Sequence, residues 1–202
     1  MLFNDAAFKS SVGGHPLSGQ AIVETQFADH TVQKWITPLH VSVQGDPTSK
    51  FSKQIDAVFR SIQASTDLEI NRDVDEGKNQ NFRIIFSDDD DFTINKTENV
   101  KCYTQTEQIQ GEMTKAEIHI NLRENEMVER CIVHEILHGF GLMHTYNLPS
   151  AVNYRYNLTH LSKWDRIVLR ALYDPSIKAG ATRREVLPLA RSIISKQMKE
   201  AK

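Results

Sequence analysis

One short stretch limits what this chain can fold into more than any other. It runs Cys131-Ile132-Val133-His134-Glu135-Ile136-Leu137-His138-Gly139-Phe140-Gly141-Leu142-Met143-His144. Read as a helix, it sets His134 and His138 one turn apart on one face, where two imidazoles can bind one metal ion through ring nitrogens. Glu135 points to the side, within reach of a water on such an ion without being a ligand itself. A straight helix cannot easily supply a third ligand. Gly141 can end it, because glycine tolerates the left-handed backbone that swings a chain back. That turn brings His144 to the same ion and leaves a fourth position open for water. The two-histidine pair alone can arise on any polar helix face, so the glycine and third histidine carry the reading.

The full pattern, His134-Glu135-x-x-His138-x-x-Gly141-x-x-His144, resembles the zinc signature of the metzincin metallopeptidases. The resemblance implies Zn2+ held by His134, His138 and His144, with Glu135 as the catalytic base. It also implies an α/β (α+β), zincin-like single domain: a twisted mixed sheet with an antiparallel edge strand, an active-site helix and C-terminal helices. Ser150-Ala151-Val152-Asn153-Tyr154 stands where metzincins carry a methionine turn beneath the zinc, with Val152 in place of methionine. Valine keeps an apolar floor but lacks the polarizable thioether. Tyr154 stands where some members place a tyrosine that helps stabilise the oxyanion, the alternative being a tyrosine packed in the turn. This strong resemblance spans His134 to Tyr173. More widely, the Trp35 to Gly45 strand, the two cysteines, Asn157-Leu158-Thr159 and Leu172-Tyr173-Asp174-Pro175 look like a bacterial family regarded as metallopeptidases. That family is classed as a domain of unknown function and is often expected to be exported. Many of its members lack the full histidine set, whereas this chain has all three.

A length of 202 residues fits one domain with a proper core. The net charge of −2 gives no electrostatic reason to expect nucleic acid. No apolar run approaches the ~18 residues that span a bilayer, so no transmembrane segment is expected. Met1 to Gln20 has no apolar signal core, so either the protein stays inside the cell or a signal was removed before numbering begins. Cys102 and Cys131 are the two cysteines. They are either buried thiols or a bridge pinning the helix to the segment before it. The bridge is favoured, and with it an oxidising compartment, periplasmic or secreted, while the cytoplasm stays open.

Residues 1–32 read as an arm and 33–202 as the catalytic domain, including a C-terminal helix over 183–198. Alternation from Leu39 to Val43 predicts a strand, with His40 on its solvated face. Phe51, Ile55, Val58, Phe59 and Ile62 predict an amphipathic helix to about Ala64. Thr66 to Ile70 and Phe82 to Phe86 read as two more strands, with a polar loop between them. The Asp88-Asp89-Asp90-Asp91 run lacks the spacing of a calcium loop and reads as a solvated turn. Asn95-Lys96-Thr97 and Asn157-Leu158-Thr159 match the glycosylation acceptor pattern, which matters only in a eukaryotic secretory pathway. Ala116 to Leu122 alternates, and the resemblance makes it the antiparallel edge strand that pairs with an extended substrate. His119 then lies near the cleft or is a plain strand histidine. Val128, Ile132, Ile136 and Leu137 predict the packing face of a helix from roughly Glu124 to Phe140. Ser162 is a natural cap for a following helix with Asp165 in its first turn.

The leading expectation is a zinc-dependent metalloendopeptidase acting on a peptide or protein substrate. The alternatives are a non-catalytic zinc-bearing module that binds peptides or cell-wall polymers, and an interaction domain whose histidines hold no metal. Neither substrate specificity nor oligomeric state is written in the sequence.

Overall fold

The Leu39 to Val43 alternation becomes strand β1 (Leu39–Gln44), whose Leu39 and Val41 are fully buried. The computed structural model describes residues 31–45, 48–72, 80–88, 93–94, 98–99, 101–123, 126–146 and 148–200. The expected arm therefore lies almost wholly outside the described residues, as do Asp89 to Asp91 and Asn95-Lys96-Thr97.

Beside β1 lie β2 (Ile70–Arg72) and β3 (Phe82–Ser87), both parallel to it. A short antiparallel pair follows, β4 (Thr93–Ile94) with β5 (Glu98–Asn99). Then come β6 (Cys102–Ile109) and β7 (Glu112–Asn121). Among the described residues the main sheet has five strands, in the order β2-β1-β3-β7-β6. β7 runs parallel to β3, from Phe82 opposite Ala116 to Ser87 opposite Asn121, and β6 closes the sheet antiparallel to β7. This is the mixed sheet with an antiparallel edge that the sequence led us to expect.

The edge itself is not the strand expected. β7, which holds Ala116 to Asn121, has neighbours on both sides, and among the described residues the edge is β6. Cys102-Tyr103-Thr104-Gln105-Thr106-Glu107-Gln108-Ile109 has no apolar alternation to announce a strand, because its outer half is solvated and only one face meets the core. β6 and β7 form a hairpin through Gln110 (φ 52) and Gly111 (φ 86), the two positive values that a twist-matched two-residue turn requires. A second correction concerns Thr66 to Ile70. The preceding helix, α1 (Ser49–Thr66), runs further than its apolar stripe predicts and stops at Asp67, which adopts φ 56. The strand starts only at Ile70.

Helix α1 and helix α2 (Val128–Gly139) lie on one face of the sheet, and α3 (Lys163–Leu172) packs against α1. Phe59 of α1, Phe82 of β3 and Phe140 after α2 meet at 5.4 to 6.1 Å between ring centroids, which joins helix and sheet layers in one aromatic knot. Trp35, 1% exposed, donates its indole N–H to Gly139 O at 2.8 Å and so satisfies a carbonyl at the end of α2. Gly139 is itself pressed on Phe82, where an added Cβ would come within 2.7 Å of the ring. Ser162 caps α3 reciprocally with Asp165, as the sequence suggests. Helix α4 (Arg183–Glu200) buries Val186, Ala190 and Ile194 against α3. Among the described residues no helix is long and apolar enough to cross a membrane.

Cys102 and Cys131 are joined in a disulfide across 29 residues of sequence, and no cysteine is free. It ties the solvated edge strand to the buried helix. Replacing both cysteines by serine is expected to cost roughly 3.5 kcal/mol through restored freedom of the unfolded chain, read as a lower urea midpoint.

Candidate metal centre

Helix α2 is buried along most of its length, and that burial aims the two histidines it carries. Its packing residues Val128, Ile132, Ile136 and Leu137 are all fully buried, so the 134/138 row is left facing the chain that follows. The helix then closes in a Schellman motif. Leu142 N–H reaches back to Leu137 O at 3.1 Å and Gly141 N–H to His138 O at 2.9 Å. Gly141 adopts φ 85, and a Cβ there would lie 2.3 Å from Gln33 O, so both conformation and contact demand glycine.

This turn does two things for the site. It delivers His144, whose Nε2 lies 3.1 Å from that of His134 and 2.9 Å from that of His138. It also places Leu142 O 2.7 Å from His138 Nδ1. His134 has the matching contact, with its Nδ1 2.8 Å from Ala151 O. A carbonyl can only accept, so each of these Nδ1 atoms carries the ring proton and each Nε2 presents a bare lone pair inward. Two bare lone pairs cannot hydrogen bond to each other across the 3.1 Å between His134 and His138. A cation between the rings satisfies them. Tetrahedral zinc with bonds of about 2.0–2.1 Å sets its ligand nitrogens about 3.4 Å apart, close to the spacing found. The three histidines can therefore hold one metal ion.

Electrostatics favour the ligating form. Burial, and then the facing rings of His138 and His144, push the imidazolium of His134 down to about 2. Burial, and then His138, push His144 down to about 3, and burial also lowers His138. Glu135 is 6% exposed, and burial raises its carboxyl to about 7 against the opposing hydrogen bond from Thr104. Those directions belong to the protein alone. A dication on three neutral imidazoles would pull the neighbouring carboxyl back toward its ionised form.

The segment 150–154 lies against His134, with Ala151 O on its Nδ1. Its geometry is fixed by a residue whose part in the site the sequence did not disclose. Asp165 accepts from Ser150 Oγ at 2.5 Å, from Ala151 N–H at 3.1 Å and from Ser162 N–H at 2.7 Å. Burial raises its carboxyl while these donors oppose the shift. Asp165 thus holds Ala151, and Ala151 O holds His134. Val152 is 2% exposed and belongs to the buried apolar core. Tyr154 stands 56% exposed with its ring centroid 4.4 Å from that of His144 and 5.1 Å from that of His134, so it flanks the candidate ligands rather than filling the turn. Arg130, one turn before His134, donates to Tyr154 O at 2.8 Å and Asn157 Oδ1 at 3.1 Å.

His119 is not part of the group. It points to the sheet face away from α2 and stacks on Tyr103 at 4.6 Å. Sequence reading also missed Thr104, whose hydroxyl reaches Glu135, because the strand that carries it was not visible.

A mixed α/β domain with a three-histidine candidate metal centre is the class of protein that fold and site define. The DUF2927 family, described as proteins of unknown function, matches residues 19–192, and the chain belongs to that family. The fold is also similar to high choriolytic enzyme 1, a hatching enzyme zinc-protease from Oryzias latipes (medaka fish). That overlay has a TM-score of 0.44 and 12% identity, covering 70% of this chain and 94% of that one. None of the curated proteins compared matches the chain.

Replacing Asp165 by alanine is expected to lower stability by about 3 kcal/mol, since it strips the partner from several buried donors. The same change should weaken metal retention roughly 10- to 100-fold by loosening the carbonyl that orients His134. Asparagine at 165, which keeps the shape and one acceptor, should retain more of both. Urea unfolding and competition with a chelating dye check the two effects separately.

Proposed function

We propose that this chain is a zinc-dependent metalloendopeptidase acting in an oxidising, extracytoplasmic compartment. One observation carries the reading. Three neutral imidazoles converge with Nε2 atoms 2.9 to 3.1 Å apart, two of them locked by backbone carbonyls, and the glutamate between the first two is buried beside them. A set of three nitrogen donors with one position left over is the donor set of catalytic rather than structural zinc. The Cys102–Cys131 disulfide supports the compartment.

In this reading His134, His138 and His144 hold zinc. Zinc at such a site supplies Lewis acidity toward a carbonyl and lowers the pKa of a water to near 7. Glu135 is the general base: its carboxylate takes a proton from the attacking water and returns it to the nitrogen of the leaving amine. Tyr154 flanks the ligands from the solvent side, where its phenol can donate to the oxyanion. Among the described residues β6 is the edge of the sheet, and a strand edge of this kind can pair with an extended peptide backbone, which supports the endopeptidase reading.

A second reading has one observation in its favour. Glu135 is only 6% exposed, as a structural glutamate would be, and a zinc-bearing module that binds peptides or cell-wall polymers without cleaving them would need no more. The two part on one variant. Hydrolysis of a broad peptide library by the zinc-loaded protein should fall at least ~10³-fold in Glu135→Gln, with zinc content unchanged. Equal cleavage by the variant contradicts the assigned base, and bound zinc with no cleavage by the wild type favours the binding module.

A further inference from the structure

The carboxylate of Glu135 is gripped from the edge strand. Thr104 Oγ1 lies 2.8 Å from Glu135 Oε2 and 2.9 Å from the main-chain oxygen of the same residue. This contact is the second rung of a ladder whose first rung is covalent. Cys102 and Thr104 are two apart on β6 and so share a face, while Cys131 and Glu135 are four apart on α2 and so share a side. Two residues of strand span about 6.6–6.8 Å and four residues of helix about 6 Å, so both rungs fit with little adjustment. The disulfide Cys102–Cys131 sets the register of the second rung. A slip of one residue along β6 would turn Thr104 to the opposite face of the sheet.

We infer that Thr104 is a positioning residue for Glu135, holding its carboxyl in one orientation from the strand along which a substrate would lie. The Thr104 hydroxyl has two acceptors of one residue within reach, the carboxylate and the main-chain oxygen of Glu135, so it bridges that residue's side chain to its backbone. Burial makes the partner necessary, since a buried carboxyl without a hydrogen bond is costly. Thr104 pairs through its backbone with Ile118 on the inner side of β6. A peptide added on the outer side would lie beside the same residue that holds the base. The catalytic consequence rests on the hydrolytic reading above, whereas the contact itself does not.

The experiment compares wild type, Thr104→Ser and Thr104→Val as full-length, zinc-loaded protein. Glutamate is labelled with 13C at its carboxyl, and the Glu135 signal is identified by its loss in Glu135→Gln. Expected are an unmoved Glu135 signal in Thr104→Ser and a displaced or broadened one in Thr104→Val, with zinc content equal in all three. On a peptide the wild type cleaves, Thr104→Val should lower kcat roughly 10- to 100-fold with KM within about twofold, and Thr104→Ser should restore most of it. An unmoved signal and unchanged kcat in Thr104→Val overturn the inference, as does a serine variant that behaves like valine. If the wild type cleaves nothing, the hydrolytic reading falls and the carboxyl signal alone decides. Displaced by valine and kept by serine, it sustains the positioning contact; otherwise it refutes it.

Discussion

Two backbone carbonyls, Leu142 O and Ala151 O, set the ring orientation of two of the three clustered histidines. Each takes the proton-bearing nitrogen of one imidazole, at 2.7 Å from His138 and 2.8 Å from His134. Each thereby forces the other nitrogen to face inward without a proton. Without those contacts, three adjacent histidines could share protons among themselves and satisfy one another. With them, His134 and His138 turn bare Nε2 lone pairs toward each other and toward His144, and burial depresses the imidazolium form of all three.

Both carbonyls are placed by features remote from any metal. Leu142 is oriented by the Schellman turn that ends α2, which depends on the positive φ of Gly141 and its approach to Gln33. Ala151 is oriented by Asp165, whose carboxylate belongs to the first turn of α3 and is fixed there by the reciprocal cap with Ser162. The site is therefore an agreement between two helix termini. The hairpin of β6 and β7 adds a third constraint, because its disulfide and Thr104 bear on the same helix at Cys131 and Glu135.

Much of this was legible in the chain. The spacing of His134, His138, Gly141 and His144 foretold both the helix and the turn that brings the third ring back, because helical period and glycine conformation are local properties. Capping by Ser162 and Asp165, the α1 stripe and strands β1 and β3 were readable for the same reason. What was not readable is what depends on partners far away in sequence. β6 shows no alternation, because most of its residues are solvated, so nothing local marks it as the edge or singles out Thr104. Asp165 reads as a cap, and nothing local says that its second task is to hold the turn at Ala151. The last two residues of α1, Ser65 and Thr66, lie beyond its apolar stripe and return their hydroxyls to the carbonyls of Ser61 and Ile62.

The most direct measurement is metal content by mass spectrometry on protein purified without chelator or nickel affinity, with His138→Ala beside the wild type. About one zinc per wild-type chain and none in the variant is the predicted result. Wild-type protein that stays metal-free even after zinc is added would contradict the account, and the three imidazoles would then be a cluster without an ion.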